Sequence, residues 1–587
     1  MGGVPGQFFQ PFGVTVATST MFSTLVACTM TPLLGARLLQ QKSTPPKTDT
    51  NHTRRRFSPY RSLLGWSLRH RITTLLLAIA FFVASLQLVP LIPRGLFNSG
   101  DTGLSTISLE LPPGSTLAEL QTTTQEAIAL LAENPAVDNV LAVLGNRGEG
   151  VVEVNRATLS VNLVPSDERD LSQAEFEAQM RTRFTQIPGA RISFQSQGAG
   201  GGGKDLSIVL SGDNPDSLLE TANALERQMR SIPGLVEVTS SASLVRPEIL
   251  IRPDPRRAGD LGVSVQAIAR TALLATLGDN QSNLAKFDLP DRQIPIRVQL
   301  AEEFRNNFDA IENLRIPTQD GRLVPLSAVA DITIGSGPAT IDRYFRSRQV
   351  QLEANLEGLS LGDALALVEA LPAMNPLPPD VQQQSEGDAR IMIDVFTRFL
   401  SALGLAVLGI YAILVLLYNN FIIPVTILMA LPLSLGGALL ALMVTQKELG
   451  LFALIGIVLL MGLVTKNAIL LVDCSMANQQ MGMSRFNAVL EAGCSRLRPI
   501  LMTTFSTIAG MLPIALEWGA GSQVRSPMAI AVIGGMTTST LLTLVVVPVW
   551  FTYVDGFQNW LKNPFKPKRR RVSPAKKMPK NMASIKE

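Results

Sequence analysis

Long apolar runs alternate with ordinary polar sequence along the chain. A helix that spans a bilayer needs about 20 consecutive apolar residues. The runs that meet this requirement lie at 12–36, 72–93, 394–418, 421–444, 450–473, 499–517 and 527–553. The pattern therefore predicts seven membrane spans. The first belongs to the segment 1–36, and the last five form one bundle over 394–553.

The polar stretch 94–393 shows a recurring strand–helix–strand rhythm. The first unit runs from the strand-like Thr106–Leu111 through the amphipathic Leu117–Ala132 to a further strand. Similar units recur at 206–238 and 350–381. Repeated units of this size predict ferredoxin-like, split-βαβ subdomains, each an antiparallel sheet covered on one face by helices.

Residues 246–340 lack this rhythm. Pro247, Pro253 and Pro255 mark the entry, and one helix-like stretch follows near 265–277. We therefore expect an inserted subdomain with its own packing. The polar stretch then divides into three subdomains: 94–199, 200–245 joined to 341–393, and the inserted 246–340.

Basic residues cluster beside the apolar runs, although the formal net charge is only +4. One cluster fills the loop 37–71 and the other fills the tail 554–587. Lysine and arginine next to membrane spans favour the cytoplasmic side, and six predicted spans, an even number, separate the two clusters. We expect both clusters in the cytoplasm, 94–393 on the opposite side of the membrane, and no nucleic-acid partner.

Cysteine and histidine form no metal or disulfide pattern. The cysteines lie in or beside apolar runs, and the histidines have no ligand-spaced neighbour. These residues are Cys28, Cys474, Cys494, His52 and His70. We expect no metal site, no disulfide framework and no cofactor.

A glycine run at Gly200–Gly203 completes a G-x-x-x-x-G-K pattern from Gly198 to Lys204. Asp205 stands where a phosphate-binding loop needs Ser or Thr to hold magnesium. A region outside the cytoplasm also meets no nucleotide. The run is therefore interpreted as a flexible joint between subdomains.

Lys466 is the most informative polar residue of the apolar runs. A cation at the centre of a membrane span costs roughly 2.5–3.5 kcal/mol, so such groups usually face a bundle interior, pair with a carboxylate and mark an ion or proton path. The alternative is a lysine whose stem reaches the interface. Asp473 lies seven residues further on, about 10 Å along the helix axis, too far for a direct pair. We expect it to be a charge at the helix end or a relay member.

The next span begins near Arg496, with Pro499 expected in its first helical turn. Thr503 lies one turn deeper, where its hydroxyl donates either into a polar path or to its own helix backbone. Small residues suited to close helix contact occur at Gly436, Gly437, Gly534 and Gly535. Pro432 and Pro513 are candidate kink positions.

Four segments together resemble the resistance-nodulation-division (RND) efflux permeases of the hydrophobe/amphiphile, AcrB-like branch. They are Phe12-Gly13-Val14 with Thr31-Pro32, Arg257-Ala258 with Leu261–Ser264, the motif from Gly462 to Asp473, and Arg-Leu-Arg-Pro-Ile-Leu-Met-Thr at 496–503. The resemblance runs along nearly the whole chain. It implies a transmembrane proton relay, for which the candidates here are Lys466, Asn467, Asp473, Arg496 and Thr503.

The resemblance also implies the surroundings of such a protein. Family members are multi-pass proteins of the bacterial inner membrane with a large periplasmic region, and they are transporters, not enzymes. They work as homotrimers that pass small-molecule substrates to an outer-membrane channel through a periplasmic adaptor, in exchange for protons. Residues 94–393 would form two porter subdomains and an inserted docking subdomain, and the tail would be cytoplasmic.

This chain departs from the family pattern at its start, which resembles the sixth of twelve spans. The paired aspartates that face the relay lysine in the family belong to the five spans before it. We therefore expect the C-terminal half of a pump that needs a separately encoded N-terminal half. An inactive or structural fragment of a split or truncated gene is the alternative. A channel or a periplasmic enzyme has little support.

The porter sequence bears on the substrate. Aromatic residues are sparse in the first repeat, which has Phe184 and Phe194 but none between Leu141 and Asp170, so an aromatic drug trap is not expected. Metal-exporting relatives use methionines. The scattered Met180, Met229 and Met374 are insufficient to predict a soft-metal site.

Overall fold

The computed structural model of the chain describes residues 3–38, 58–96, 100–146, 152–165, 168–196, 203–243, 245–276, 278, 285–296, 298–305, 307–338, 340–384, 387–519 and 521–562. Most of the predicted basic loop 37–71, the tail beyond Lys562 and the glycines of 198–202 lie outside the described residues.

Three helices of the described residues precede the polar middle of the chain: α1 (Gly3–Leu38), α2 (Ser58–Arg69) and α3 (Arg71–Leu86). A short 3₁₀ turn, Val89–Leu91, extends α3. Both α1 and the extended α3 are long and apolar enough to cross a bilayer. The helix α2 packs on the later bundle through buried Leu64 and through Tyr60, whose hydroxyl donates to the Leu544 carbonyl at 2.9 Å.

A four-stranded antiparallel sheet follows, with strand order β2-β3-β1-β4. Its elements in chain order are β1 (Leu104–Glu110), α4 (Leu117–Ala132), β2 (Val137–Asn146), β3 (Val152–Leu163), α5 (Gln173–Phe184) and β4 (Arg191–Gln195). Capping boxes start both helices, Thr116 with Glu119 and Ser172 with Glu175. We call these elements the first sheet.

The sequence pattern did not predict the unit β3–α5–β4, which the structure contains. Only Phe176, Met180 and Phe184 of α5 are buried. They form one narrow stripe at four-residue intervals, and the rest of the helix is polar. A helix with so narrow an apolar stripe gives a weak periodic signal.

The second sheet starts with β5 (Leu206–Gly212), α6 (Pro215–Met229) and β6 (Leu235–Ser240). Every residue of β5 is buried, which fits its central place between two antiparallel neighbours, both of which come much later in the chain. Asn214 caps α6 by accepting from the Asp216 N–H, and Pro215 stands at the first helical position.

An insertion with its own hydrophobic cluster then leaves the sheet. Its elements are β7 (Val245–Pro253), α7 (Pro255–Asp260), α8 (Val265–Thr276), β8 (Lys286–Asp288), β9 (Gln293–Pro295), α9 (Glu302–Arg305), α10 (Phe308–Glu312), β10 (Arg315–Pro317), β11 (Leu323–Pro325), α11 (Leu326–Val329) and β12 (Ala330–Pro338). Strands β7 and β12 pair antiparallel as the stem. Ala258, Ile268, Ile316 and Leu326 lie in the cluster.

The helix predicted near 265–277 is present as α8, but the sequence pattern missed the other helices of the insertion. Besides α8, the described residues contain the short helices α7, α9, α10 and α11, each of four to six residues. Helices of barely more than one turn show no apolar periodicity, so the sequence pattern cannot detect them.

The chain returns to the second sheet through β13 (Arg343–Tyr344), β14 (Ser347–Leu356), α12 (Leu361–Glu369) and β15 (Val381–Gln384). The order β6-β14-β5-β15 is the same topology as in the first sheet. The two sheets meet at Glu237, whose carboxylate accepts hydrogen bonds from Arg181 Nε (2.7 Å), the Phe194 N–H (3.1 Å) and Asn355 Nδ2 (2.7 Å).

The remaining helices form the bundle: α13 (Gly387–Tyr418), α14 (Ile423–Leu428), α15 (Ala430–Val444), α16 (Leu451–Gln480), α17 (Arg485–Ala515) and α18 (Ser522–Lys562). With α14 and α15 counted as one, seven segments of the described chain are long and apolar enough to cross a membrane. The break before α15 falls at Met429. Pro432 cannot donate to the carbonyl four residues earlier, Leu428, where α14 ends.

Two predicted starts in the bundle were wrong. Helix α13 begins at Gly387 and α17 at Arg485, whereas the apolar runs begin near 394 and 499. Pro499 is therefore inside α17 and not in its first turn. An apolar run marks only the part of a helix that suits a membrane, and a polar extension continues the same helix into water.

Glycines allow the closest helix contacts of the bundle. A Cβ at Gly534 would lie 2.2 Å from the Cβ of Ala441 and 2.7 Å from the Gly437 carbonyl oxygen. One at Gly535 would lie 2.1 Å from Leu460 Cδ2, and one at Gly436 would lie 2.6 Å from Ser85 Oγ. These contacts bring α18 against α15 and α16, and α15 against α3. We call the contacts of Gly437, Gly534 and Gly535 the glycine seam.

Glu448 lies where the second sheet rests on the bundle, in the loop between α15 and α16. Backbone bonds from Leu449 N–H to the Pro93 carbonyl (2.8 Å) and from Leu451 N–H to the Leu96 carbonyl (3.0 Å) hold this loop. Burial raises the pKa of Glu448 to about 7, and the negative charges of Asp363 and Asp205 add to the effect.

We predict that Gly534→Ala lowers the free energy of unfolding by about 1–3 kcal/mol, because the new methyl group overpacks the glycine seam. Thermal or denaturant unfolding in detergent micelles measures the change. Gly510→Ala is the matched control, since a Cβ at Gly510 meets nothing within 4 Å; it should be neutral or stabilising by up to about 1 kcal/mol. Equal losses in the two variants would contradict the close contact.

We predict that Glu448→Gln stabilises the chain at pH 8 and not at pH 4.5. The folded-state pKa of Glu448 is raised from 4.5 to about 7, so the folded state favours the neutral carboxyl. The stabilising contribution of the native residue is complete below its unfolded pKa and is lost as the pH rises through 7. As the pH rises from 4.5 to 8, the free energy of unfolding of Glu448→Gln should exceed that of the native chain by an amount that grows to at most about 3 kcal/mol. A difference independent of pH would refute this assignment.

Candidate functional site

Lys466 is on the open side of α16, where no other part of the described chain covers it. Gly462, Lys466, Asp473 and Ala477 are exposed on this helix, whereas Val464 and its neighbours on the opposite side are buried. The exposed positions recur at four- and seven-residue spacing on one face. We call this strip the open face of the bundle.

The cation on the open face is Lys466. Among the described residues, no carboxylate forms an ion pair with it. Asp473 follows two turns later, and its Oδ1 accepts a hydrogen bond from the Tyr418 hydroxyl at 2.7 Å. Helix α16 continues for seven residues after Asp473, to Gln480. The expectation of a charge at the helix end was therefore wrong, because the apolar run stops before the helix does.

Arg496 and Thr503 are seven residues apart on α17, hence on one face of that helix. Both are partly exposed. The Thr503 hydroxyl donates to the Ile500 carbonyl of its own helix at 3.0 Å. Thr503 thus adopts the self-bonded alternative in this state of the chain.

Thr504 and Thr540 form a hydrogen bond that the sequence analysis did not predict. Their Oγ1 atoms are 3.0 Å apart and buried between α17 and α18. Because Thr504 directly follows Thr503, this bond fixes the rotation of α17 and keeps Thr503 and Arg496 towards the outside. The only sequence signal for this bond was a threonine within an apolar span, and that signal could not identify Thr540 as its partner.

Asn467 points the other way from Lys466. It is 3% exposed, and its Nδ2 has no hydrogen-bond partner within the described chain. A buried amide without a partner costs about 1–3 kcal/mol. This N–H is therefore a donor inside the bundle that remains available to a water molecule or to a moving group.

The predicted porter methionines and phenylalanines are core residues. Met180, Phe184 and Phe194 belong to the hydrophobic cluster of the first sheet, and Met229 and Met374 belong to that of the second. Within the described residues, no group of three or more His, Cys, Asp or Glu side chains could hold a metal ion. The thioethers are thus dispersed in two cores and not gathered at a surface.

Lys466 lies at membrane depth without a counter-charge from the described residues. A charged ammonium there costs several kcal/mol when it faces lipid, and apolar residues flank Lys466 on both sides along α16. A carboxylate from outside the described chain would remove that cost, and protonation of that carboxylate would restore it. The open face therefore has the form of one half of a charge-pair site.

A model of the AcrB/AcrD/AcrF family matches residues 1–555. Among solved structures, two crystal forms of a heavy metal efflux pump superpose on the chain with TM-scores of 0.73 and 0.71, each at 26% sequence identity. Each match covers 85% of this chain and 51% of the other. The chain thus spans about half the length of the solved structures that it matches.

We predict that Lys466→Met changes the free energy of unfolding of this chain by less than about 0.5 kcal/mol, because the side chain contacts nothing that its loss would leave unpaired. Thr504→Val should cost about 1 kcal/mol, because it removes the buried bond to Thr540. Unfolding in detergent micelles measures both. A large loss for Lys466→Met would show that Lys466 has a partner within the chain.

Proposed function

Because the chain belongs to the AcrB/AcrD/AcrF family of RND efflux permeases, we propose that it is the C-terminal half of a transporter driven by the proton-motive force. It would export small molecules from the periplasm or the outer leaflet of the inner membrane. The observation that carries the proposal is the open face, where Lys466 lies at membrane depth without a counter-charge from the described residues. The chain is a transporter subunit and not an enzyme.

The partner that best suits the open face is an N-terminal half with carboxylates in its spans. Helix α1 supports this assignment, because none of its most apolar 18-residue window is buried by the described chain. Helix α13 contributes a further uncovered apolar surface, including Leu405 (72% exposed) and Leu416 (82% exposed). Lipid covers part of this surface, and the second half covers the part around Lys466.

The proton cycle follows from the charges. A carboxylate of the partner half pairs with Lys466 when it is ionised. When a proton neutralises that carboxylate, Lys466 loses its counter-charge and turns towards other hydrogen-bond acceptors, such as the hydroxyl of Thr503. Movement of one proton through a potential of 100 mV supplies about 2.3 kcal/mol. Asn467, Asp473 and Arg496 complete the relay.

An organic amphiphile is a better substrate candidate than a soft metal ion. The solved pumps that resemble the chain export heavy metals, and soft metal ions need exposed thiolate or thioether ligands. The three porter methionines named above are buried in two separate cores. In this proposal the substrate enters between the porter subdomains and leaves through a periplasmic adaptor and an outer-membrane channel, and the pump is a homotrimer in the inner membrane.

The first experiment is dye efflux from a pump-deficient bacterium with two membranes, which expresses the chain alone or together with a five-span half that carries the paired carboxylates. Efflux from the pair and not from the chain alone is the expected result. Efflux from the chain alone would refute the need for a second half. Absence of efflux in both, with organic dyes and with heavy-metal salts, would favour an inactive fragment.

We predict that Lys466→Ala reduces proton-coupled export by the assembled pump to background, because the partner carboxylates lose their counter-charge. Assembly should persist, since Lys466 is exposed and forms no hydrogen bond or ion pair with the described residues. Lys447→Ala is the matched control: Lys447 pairs with Glu517 at 2.5 Å outside the spans, and its loss should leave export within about twofold. Retained export in Lys466→Ala would exclude Lys466 from the relay.

A further inference from the structure

Asp101 connects the first sheet to the bundle. Its carboxylate accepts from the Arg169 guanidinium, from the Gly103 N–H at 3.1 Å and from the Gln173 N–H at 3.0 Å. Its own backbone N–H donates to Oε1 of Gln523 at 2.6 Å. Gln523 is in the first turn of α18, so one residue bonds to the start of α5 and to a helix of the bundle.

The ion pair at this joint is almost fully enclosed. The side chains of Arg169 and Asp101 are 3% and 9% exposed. Arg169 also donates from Nε to the Val164 carbonyl at 2.8 Å and from Nη1 to the Leu171 carbonyl at 2.6 Å. A buried ion pair is rigid when hydrogen bonds satisfy its remaining groups, and loss of one partner leaves an uncompensated charge.

The backbone beside Asp101 lies directly on α18. A Cβ at Gly100 would be 2.4 Å from Val524 Cγ2 and 3.3 Å from the Val524 nitrogen. A side chain at Gly100 would therefore need the Val524 side chain to give way. The first sheet therefore cannot shift relative to this end of α18 without breaking the bonds of Asp101.

The same helix is locked to the helix that carries Lys466. A Cβ at Gly456 of α16 would lie 2.7 Å from the Met528 carbonyl oxygen of α18, and Gly535 of α18 meets Leu460 of α16 in the glycine seam. Close-packed helices move as a body more readily than they slide past each other. A displacement of α16 is thus passed to α18 and to its first turn.

We propose that Asp101 and Arg169 are positioning residues of the transport reaction, because they tie the first sheet to α18 and make it follow the helix pair that carries Lys466. The role in transport rests on the proposed function. The linkage between the first sheet and α18 rests only on the hydrogen bonds and close contacts described above. Glu110 and Arg156, an ion pair of the first sheet at 2.7 Å that does not reach the bundle, supply the matched control.

The linkage is tested in this chain alone, in lipid nanodiscs, with its native cysteines replaced by alanine. Cysteines introduced as Gly100→Cys and Val524→Cys report contact between the first sheet and α18 through their rate of disulfide formation. Asp101→Asn would keep the backbone N–H that bonds to Gln523, so Gln523→Leu, which removes the acceptor, is the variant for this contact. We expect Gln523→Leu to slow this rate at least about tenfold and Glu110→Gln to leave it unchanged. An unchanged rate in Gln523→Leu overturns the linkage.

The role in transport is tested in the assembled pump. Asp101→Asn should lower export at least about tenfold while proton leak and assembly remain, because the relay still turns over without moving the sheet. The Gly100→Cys/Val524→Cys disulfide should restore export in this variant under oxidising conditions and lose that effect on reduction. Normal export by Asp101→Asn, or loss of export that the disulfide does not restore, overturns the proposal.

The two experiments separate the two possible failures. If the unsubstituted pump exports nothing, the proposed function fails, and the role in transport fails with it. The cross-linking rates in the chain alone still decide whether Asp101 holds the sheet on α18.

Discussion

Close contact between helices at glycine is the constraint on which the rest of this structure depends. Apolar helices gain little from burying apolar surface when their surroundings are also apolar, so van der Waals contact at short distance must hold them together. The glycine seam supplies that contact on two sides of α18, towards α15 and towards α16. Each glycine meets a backbone atom or a branched side chain, which leaves no room for a methyl group.

A tightly held core has a consequence for the polar groups at its surface. The seam and the buried Thr504–Thr540 bond fix the rotation of α16, α17 and α18. Lys466 and Thr503 then face outward because the packing fixes the rotation of their helices. Their uncovered position is a property of the packing, and it makes the open face suited to a second helical bundle with complementary charge.

The two sheets repeat one topology. The first sheet reaches α18 through the backbone N–H of Asp101, and the linker after α3 bonds to the loop before α16 at Leu449 and Leu451. Between the sheets, Glu237 collects donors from both. Asp101 and Glu237 therefore lie at two junctions: Asp101 joins the first sheet to α18, and Glu237 joins the two sheets. The second sheet and the bundle share one hydrophobic cluster.

The sequence by itself determined the elements whose signal is local and strong. Runs of about 20 apolar residues predicted the membrane segments, and the period of Leu117–Ala132 predicted a helix with those bounds. Lys466 was identifiable because a single charged residue within an apolar run is visible in the sequence itself, without knowledge of the residues that contact it. Small residues at Gly436, Gly437, Gly534 and Gly535 indicated close contact. Only the tertiary structure decided what each glycine touches, that Thr504 meets Thr540, that Asp473 binds Tyr418, and that Asp101 joins a sheet to a helix. Those pairs lie 36 to 422 residues apart, and a sequence pattern records the period of one element but not the distance between two.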